Sequence, residues 1–221
     1  MVNSVLNRLV GEERALVALA CDTAALAWRR YEVCFTAFLD PGQRALLAQY
    51  AYLWDATMFS FGGYTDAERQ IVAFSPEQDE CQDEYPLVAM QVSGNFSFAA
   101  VTHRDYLGSL LALGMKREMV GDILAGPEGC QLVLHKNIVS YVLANWKMVG
   151  QVGVRVEEIP LVELRPPEPK IALRQATVAS LRLDAVVAVA YGLSRTQAAN
   201  LIRAGKLKLN FTLETRCDRA V

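Results

Sequence analysis

From its N-terminus the chain sets apolar positions at helical intervals. Leu6, Leu9 and Val10, followed by Leu16, Val17, Leu19 and Ala20, predict helix over roughly Ser4 to Trp28. A second helix is predicted after Asp40-Pro41, with Asp40 as N-cap and Pro41 as the first helical residue, running through Leu46, Leu47, Tyr50 and Leu53. Between them Tyr31 to Phe38 mixes β-branched and aromatic residues and reads as a short strand or an irregular link. The pattern then turns strand-like over Arg69–Phe74, Leu87–Val92 and Phe96–Thr102, with Ser93-Gly94-Asn95 as a turn between the last two. A helix follows from Arg104 to Leu113, ending at Gly114. Strands at Asp122–Ala125 and Cys130–His135 flank the turn Gly126-Pro127-Glu128-Gly129; a helix at Lys136–Lys147 and a strand at Val152–Ile159 complete this part. Strands alternating with two helices predict an α+β class, with helices on one face of a sheet.

Past this body the composition changes. Leu164-Arg165-Pro166-Pro167-Glu168-Pro169-Lys170 carries three prolines in four residues, which forbids helix and predicts an extended connector over 164–176. The expected organisation is therefore a mostly helical region at 1–80, an α/β region at 81–163, the connector, and a small module at 177–221. In the module Leu183, Val186, Val187 and Ala190 would share one helix face, with Gly192 at the C-terminal cap. Ser194 three residues before Gln197 is a capping-box spacing that opens a second helix, which stops at Gly205 and turns Ala198, Leu201 and Ile202 toward the first. Lys206-Leu207-Lys208-Leu209-Asn210 alternates as a half-buried strand does, placing Lys206, Lys208 and Asn210 on its outer face.

Charge sharpens this division. The net charge of −2 hides a segregation: from Arg165 onward there are ten Lys/Arg against four Asp/Glu, a balance of +6, whereas residues 1–164 carry −8. A basic tail domain on an acidic body points at nucleic acid. Backbone N–H groups at the start of the second module helix favour a phosphate, and Arg195 stands beside them. Arg182, Arg203, Lys206 and Lys208 would extend a surface that reads the RNA backbone, its specificity coming from RNA shape.

The module residues RLDAVVAVAYGLSRTQAANLIRAGKLKLN resemble the S4-type RNA-binding domain, shared by pseudouridine synthases and tyrosyl-tRNA synthetases. The resemblance implies RNA-binding roles for Arg182, Ser194, Arg195, Gln197, Arg203, Lys206, Lys208 and Asn210. Such a domain normally continues with two more strands, which Phe211 to Val221 do not resemble, so a truncated or altered end is expected. The body adds Phe61-Gly62-Gly63-Tyr64-Thr65-Asp66-Ala67-Glu68-Arg69, Thr102 to Gly108, Leu113 to Glu118 and Gly121-Asp122-Ile123-Leu124. Together with the module these resemble the YlmH-type proteins of bacteria and their photosystem II S4-domain relatives. That resemblance implies a ribosome-associated protein with a second RNA-binding domain of α/β-plait shape, which would make His103, Arg104, Lys116 and Arg117 a second RNA surface. It also implies rRNA or tRNA as partner, and the bacterial cytoplasm, or the chloroplast stroma in an alga or plant.

Other classes fit poorly. His103-Arg104-Asp105 copies a kinase catalytic triplet, but the chain has no Gly-rich phosphate loop and no Asp-Phe-Gly, so the triplet reads as a helix start capped by Thr102 or His103. Gly62-Gly63 reads as a tight turn, since no Lys-Ser/Thr follows it. The only Arg-Leu-Asp lies inside the module, at 182–184, so a pseudouridine synthase is not indicated. Five cysteines form no CxxC pair, and two histidines cannot complete a zinc set, so neither metal nor cofactor is expected. Ala15 to Trp28 is interrupted by Asp22 and falls short of a membrane span, and the first residues lack the features of a secretory signal. Glu77 to Glu84 reads as a solvated acidic loop. The expectation is a monomeric, non-enzymatic RNA-binding protein; the alternative is an assembly factor whose shortened module does not hold RNA alone.

Overall fold

A computed structural model describes residues 2–78, 84–96, 101–126, 129–168, 173 and 175–221. The chain forms two compact units, Met1–Pro167 and Glu168–Val221.

The first unit begins with α1 (Val2–Leu6) and α2 (Gly11–Arg30). Along α2 the buried residues are Val17, Ala20, Ala24 and Ala27, a stripe of mostly small side chains that lets the helix lie close on a sheet. Tyr31 ends the helix in the left-handed region, φ 54°. The sheet contains β1 (Cys34–Leu39), β2 (Thr57–Phe61) and β3 (Gln70–Ser75), antiparallel in the order β1-β3-β2. Between β1 and β2 lies α3 (Pro41–Gln49), whose start is a reciprocal cap: the Gln43 amide donates to Asp40 Oδ1 at 2.8 Å and the Asp40 amide to Gln43 Oε1 at 2.9 Å. The N-terminal region thus holds a sheet as well as helices. β2 is half-buried at every position, so it lacks the alternation that marks a strand in sequence.

The second sheet has five antiparallel strands in the order β5-β6-β4-β8-β7, from β4 (Leu87–Gly94), β5 (Val120–Gly126), β6 (Gly129–His135), β7 (Met148–Val149) and β8 (Val152–Ile159). Helices α4 (His103–Ala112) and α5 (Lys136–Asn145) cover one face, where Met90, Val92, Tyr106, Leu110, Leu132, Leu134, Val142 and Trp146 form the core. The opposite face is not open. Leu87, Ala89 and Val133 pack there with Phe38, Ile71 and Ala73 of the first sheet and with Leu164. Gln131, on that same face, accepts the Arg165 amide at 2.7 Å and donates to the Glu163 carbonyl at 3.1 Å, holding the departing chain across it. Ser93 and Gly94 continue β4 and do not form the expected turn. The expected strand Phe96–Thr102, the acidic loop and the turn at Pro127-Glu128 fall largely on residues outside those described. Gly129 (φ +144°) is required where β6 begins, because a Cβ there would lie 2.2 Å from the Val92 carbonyl oxygen.

Asp122 ties the two sheets of this unit together. Its Oδ2 accepts from the Tyr64 hydroxyl and from the Glu68 amide, each at 2.7 Å, and its Oδ1 from the Arg69 amide at 2.9 Å. Arg69 adds donation from Nε to the Val120 carbonyl at 3.1 Å and from Nη2 to the Phe38 carbonyl at 2.9 Å. Gly62 makes this loop possible, since a Cβ at that position would meet the Arg69 carbonyl oxygen at 2.4 Å and Ala67 Cβ at 2.5 Å. Burial, and then the bond to Asp122, push the Tyr64 phenol above the ordinary tyrosine range.

Candidate RNA interface

The second unit is built on α6 (Leu183–Tyr191) and α7 (Arg195–Arg203), followed by the short strands β9 (Lys208–Leu209) and β10 (Thr212–Leu213). Its core is Leu183, Val187, Ala188, Ala198 and Ile202, joined by Leu207, Leu209 and Cys217. The buried face of α6 is rotated from the expected one: Asp184 and Ala185 are buried, Val186 is half-buried and Ala190 is exposed. Leu201, expected to face α6, is 36% exposed. The rotation has a cause in the last residues of the chain. The Leu183 amide donates to the Arg219 carbonyl at 2.8 Å, the Asp184 amide to the Cys217 carbonyl at 3.1 Å and the Val221 amide to the Leu181 carbonyl at 3.0 Å. The tail therefore covers the start of α6 and supplies the cap that no side chain provides.

The end of the chain, expected to be truncated or altered, closes the unit with short pairings. β10 pairs with β9, and Arg182 bridges to Ala220 in antiparallel fashion. The Lys206–Asn210 strand is shorter than expected because Asn210 (φ 48°) and Phe211 (φ 68°) turn the chain back with two left-handed residues in succession, the signature of a tight hairpin.

At the head of α6 two of the expected cations converge on one carboxylate. Arg182 donates from Nε to Asp184 Oδ1 at 3.3 Å and from Nη2 to Oδ2 at 3.1 Å, and Arg195 donates from Nη2 to Oδ1 at 3.0 Å. The Asp184 side chain is 10% exposed, whereas those of Arg182 and Arg195 are 44% and 60% exposed, so the acid is hidden and the guanidiniums reach solvent. One carboxylate against two guanidiniums leaves a cluster of net +1. A guanidinium has five N–H donors, so both retain donors for a phosphate, already ordered before any ligand arrives.

The hydrogen bond from Arg182 holds the Asp184 carboxyl below the usual aspartate range, burial opposes it and Arg195 adds to it. A carboxyl with a depressed folded-state pKa stabilises the fold above its unfolded pKa, about 3.9, and loses that contribution as pH falls through the folded value. Asp184→Asn is therefore expected to melt below wild type at pH 7, with the gap closing below about pH 4. Melting curves of both proteins from pH 7 to pH 2 test this; an unchanged gap at pH 2 excludes the charge as its source.

The remaining expected residues divide by role. Ser194 Oγ accepts from the Gln197 amide at 3.2 Å and Gln197 Oε1 accepts from the Ser194 amide at 2.9 Å, so both side chains are engaged in the cap of α7. That cap takes one of the amides expected to face a phosphate and leaves the earlier ones of the turn. Arg203, Lys206, Lys208 and Asn210 are exposed. Sequence reasoning missed Asp184 as the organiser of the arginines. It also missed Arg216 and Arg219, which pair with Glu214 at 3.6 and 3.9 Å.

In the body, the residues of the expected second surface differ in exposure and partners. Arg117 is half-buried and its Nη1 donates to the Val120 carbonyl and, at 3.2 Å, to the Gly121 carbonyl. Lys116 is exposed and 3.8 Å from Glu118. His103 and Arg104 are exposed in the first turn of α4, where Asp105 Oδ2 accepts from the Thr102 amide at 2.8 Å and from its hydroxyl at 2.7 Å. Asp105 of the kinase-like triplet is thus a helix-capping group.

Comparisons with known proteins place the chain in a family. Residues 12–78 match the family described as "YlmH, N-terminal", and residues 80–163 the family described as "Putative RNA-binding domain in YlmH". A solved structure, the cell division protein ylmH from Streptococcus pneumoniae, is similar in fold, with a TM-score of 0.59 and 23% identity over 70% of this chain and 95% of that one. The ribosome-associated protein quality control protein P2 of Bacillus subtilis (strain 168) is 32% identical over 201 residues, covering 90% of this chain and 78% of the relative. With that identity over 90% of its length and both family matches, the chain belongs to the YlmH family.

Proposed function

We propose that this protein is a non-catalytic RNA-binding factor that works on the ribosome, gripping structured rRNA or tRNA with its C-terminal unit and acting as a monomer. The observation that carries the reading is the Arg182–Asp184–Arg195 cluster, two pre-ordered guanidiniums in a unit that also exposes Arg203, Lys206 and Lys208. The ribosome association named in the B. subtilis relative and the RNA-binding domain named in the matched family support it. No helix among the described residues is long and apolar enough to cross a membrane. The proposed setting is wherever bacterial-type ribosomes work, the bacterial cytoplasm or the stroma of a plastid.

The binding is expected to be electrostatic and salt-dependent. Arg195→Ala with Lys206→Ala should weaken binding to a structured RNA at least about tenfold and lower the slope of log affinity against log salt by about two, one per lost phosphate contact. Titrations at several salt concentrations measure both. An unchanged slope would remove these residues from the interface. The acidic body favours a second reading, an assembly factor held by proteins. Ribosome co-sedimentation that survives deletion of residues 165–221 would select it.

A further inference from the structure

Gly108 sits in the middle of α4, where a glycine is less stable than alanine by about 1 kcal/mol. Nothing among the described residues requires it. Its φ is not positive, and a Cβ built on it would meet no described atom within 4 Å apart from its chain neighbours and the backbone of its own helix. The space it leaves open belongs to a groove of about 480 Å³ bordered by Ser109, Ala112 and Leu113 of α4 and its end, and by Trp146, Lys147 and Met148. That volume is within the range of small-ligand sites, roughly 300–1,000 Å³. Its walls are mainly apolar. Met148 is 50% exposed, and the buried Trp146 has its indole N–H fixed on Ser109 Oγ at 2.9 Å. Two cations, Arg104 and Lys147, line it together with one acid, Asp105, whose carboxylate already accepts from Thr102. In a body of net charge −8, that leaves a locally cationic edge around an apolar floor.

We propose that this groove is a second RNA site, which takes one unstacked base of a single-stranded segment against Met148 and the open face of Gly108, with the adjoining phosphate at Arg104 and Lys147. Single strands are held by bases laid on flat surfaces with cations on their phosphates; here the Arg104 guanidinium and Met148 offer the contact, with no exposed aromatic ring in the lining. The opposite sheet face, on which plait domains can stack bases, is covered here by the first sheet and by the chain at Glu163–Arg165. The proposal rests on the reading of this protein as an RNA binder, and it assigns single-stranded RNA to the body and structured RNA to the C-terminal unit.

The test uses the full chain, a short fluorescein-labelled oligouridylate and a hairpin RNA, read by anisotropy. Gly108→Leu starts from a Cβ position with open space and extends into the groove, so it should keep or raise the melting temperature while weakening oligouridylate binding about tenfold, on the order of one base contact. Hairpin affinity should stay within about twofold. Gly108→Ala should raise the melting temperature and weaken oligouridylate binding less. Oligouridylate binding that is unaffected in Gly108→Leu overturns the groove while leaving the RNA-binding reading intact. A wild-type chain that binds neither RNA at low salt overturns both. Loss of ribosome co-sedimentation in Gly108→Leu with oligouridylate affinity unchanged would give the groove to a protein and also overturn the proposal.

Discussion

Asp122→Ala is expected to lower the melting temperature of the first unit by about 6–12 °C. The carboxylate receives three donors, the Tyr64 hydroxyl and the Glu68 and Arg69 amides, from one loop of the first sheet. Removing it leaves all three without their acceptor where the two sheets meet. Hydrogen bonds to a charged group contribute about 1.5–3 kcal/mol each but are not additive in one network, so about 3 kcal/mol is a conservative total. For a unit of this size each kcal/mol shifts the midpoint by about 2–4 °C. Tyr64→Phe removes one donor together with part of the acceptor's load, and should cost only about 1 kcal/mol. Calorimetry on both variants tests the ranking. An Asp122→Ala protein that melts within about 2 °C of wild type would show that apolar packing and the Arg69 bonds hold the sheets without the carboxylate.

The Phe61–Arg69 and Gly121–Leu124 motifs are visible in sequence only as a likeness to other proteins. What they do becomes physical once Asp122 is seen to accept from residues 53, 54 and 58 positions away. Local chemistry is legible by contrast. The Asp40 cap follows from the Asp-Pro helix start and the Ser194–Gln197 cap from residues three apart, and both are present. Helices α4 and α5 and strands β4, β6 and β8 carry strong periodicity and lie within a few residues of their expected bounds. β2 and β7 escaped notice, the first for its uniform half-burial and the second because two residues show no period.

The candidate interface has the same division. Arg195 at the head of α7 and the exposed Arg203, Lys206 and Lys208 could be read from composition and the helix–turn–helix spacing. The pairing of Arg195 with Asp184 spans eleven residues and depends on how the two helices meet. Asp184 was legible only as an acid in a helix's first turn. Periodicity assumes one covered side and so points to the wrong inner face of α6, because the tail covers another. Gly108 illustrates the reverse: its presence is obvious in sequence, but only the open space beside it shows that packing does not require it.

Deletion of residues 214–221 is expected to unfold the C-terminal unit and abolish its grip on structured RNA. The tail accepts from the Leu183 and Asp184 amides, donates from the Val221 amide to Leu181, and donates from the Glu214 amide to the Leu207 carbonyl at 3.2 Å. It also contributes Cys217 to a small apolar cluster. At about 1 kcal/mol for each of four backbone bonds, the loss is about 4 kcal/mol before any apolar area is counted. A unit this small buries too little surface to absorb that. With α6 frayed, Asp184 no longer has a fixed position, and the guanidiniums of Arg182 and Arg195 lose the carboxylate that orders them. Affinity for a structured RNA should then fall by about a hundredfold or more, the equivalent of two charge-assisted contacts, while the first unit melts as in wild type. Hydrogen exchange resolves the two units in one experiment: amides of α6 and α7 should lose protection, and those of β4 and β6 should keep it. If α6 stays protected and RNA affinity changes by less than about threefold, the helix pair alone holds the site, and the tail merely lies against it.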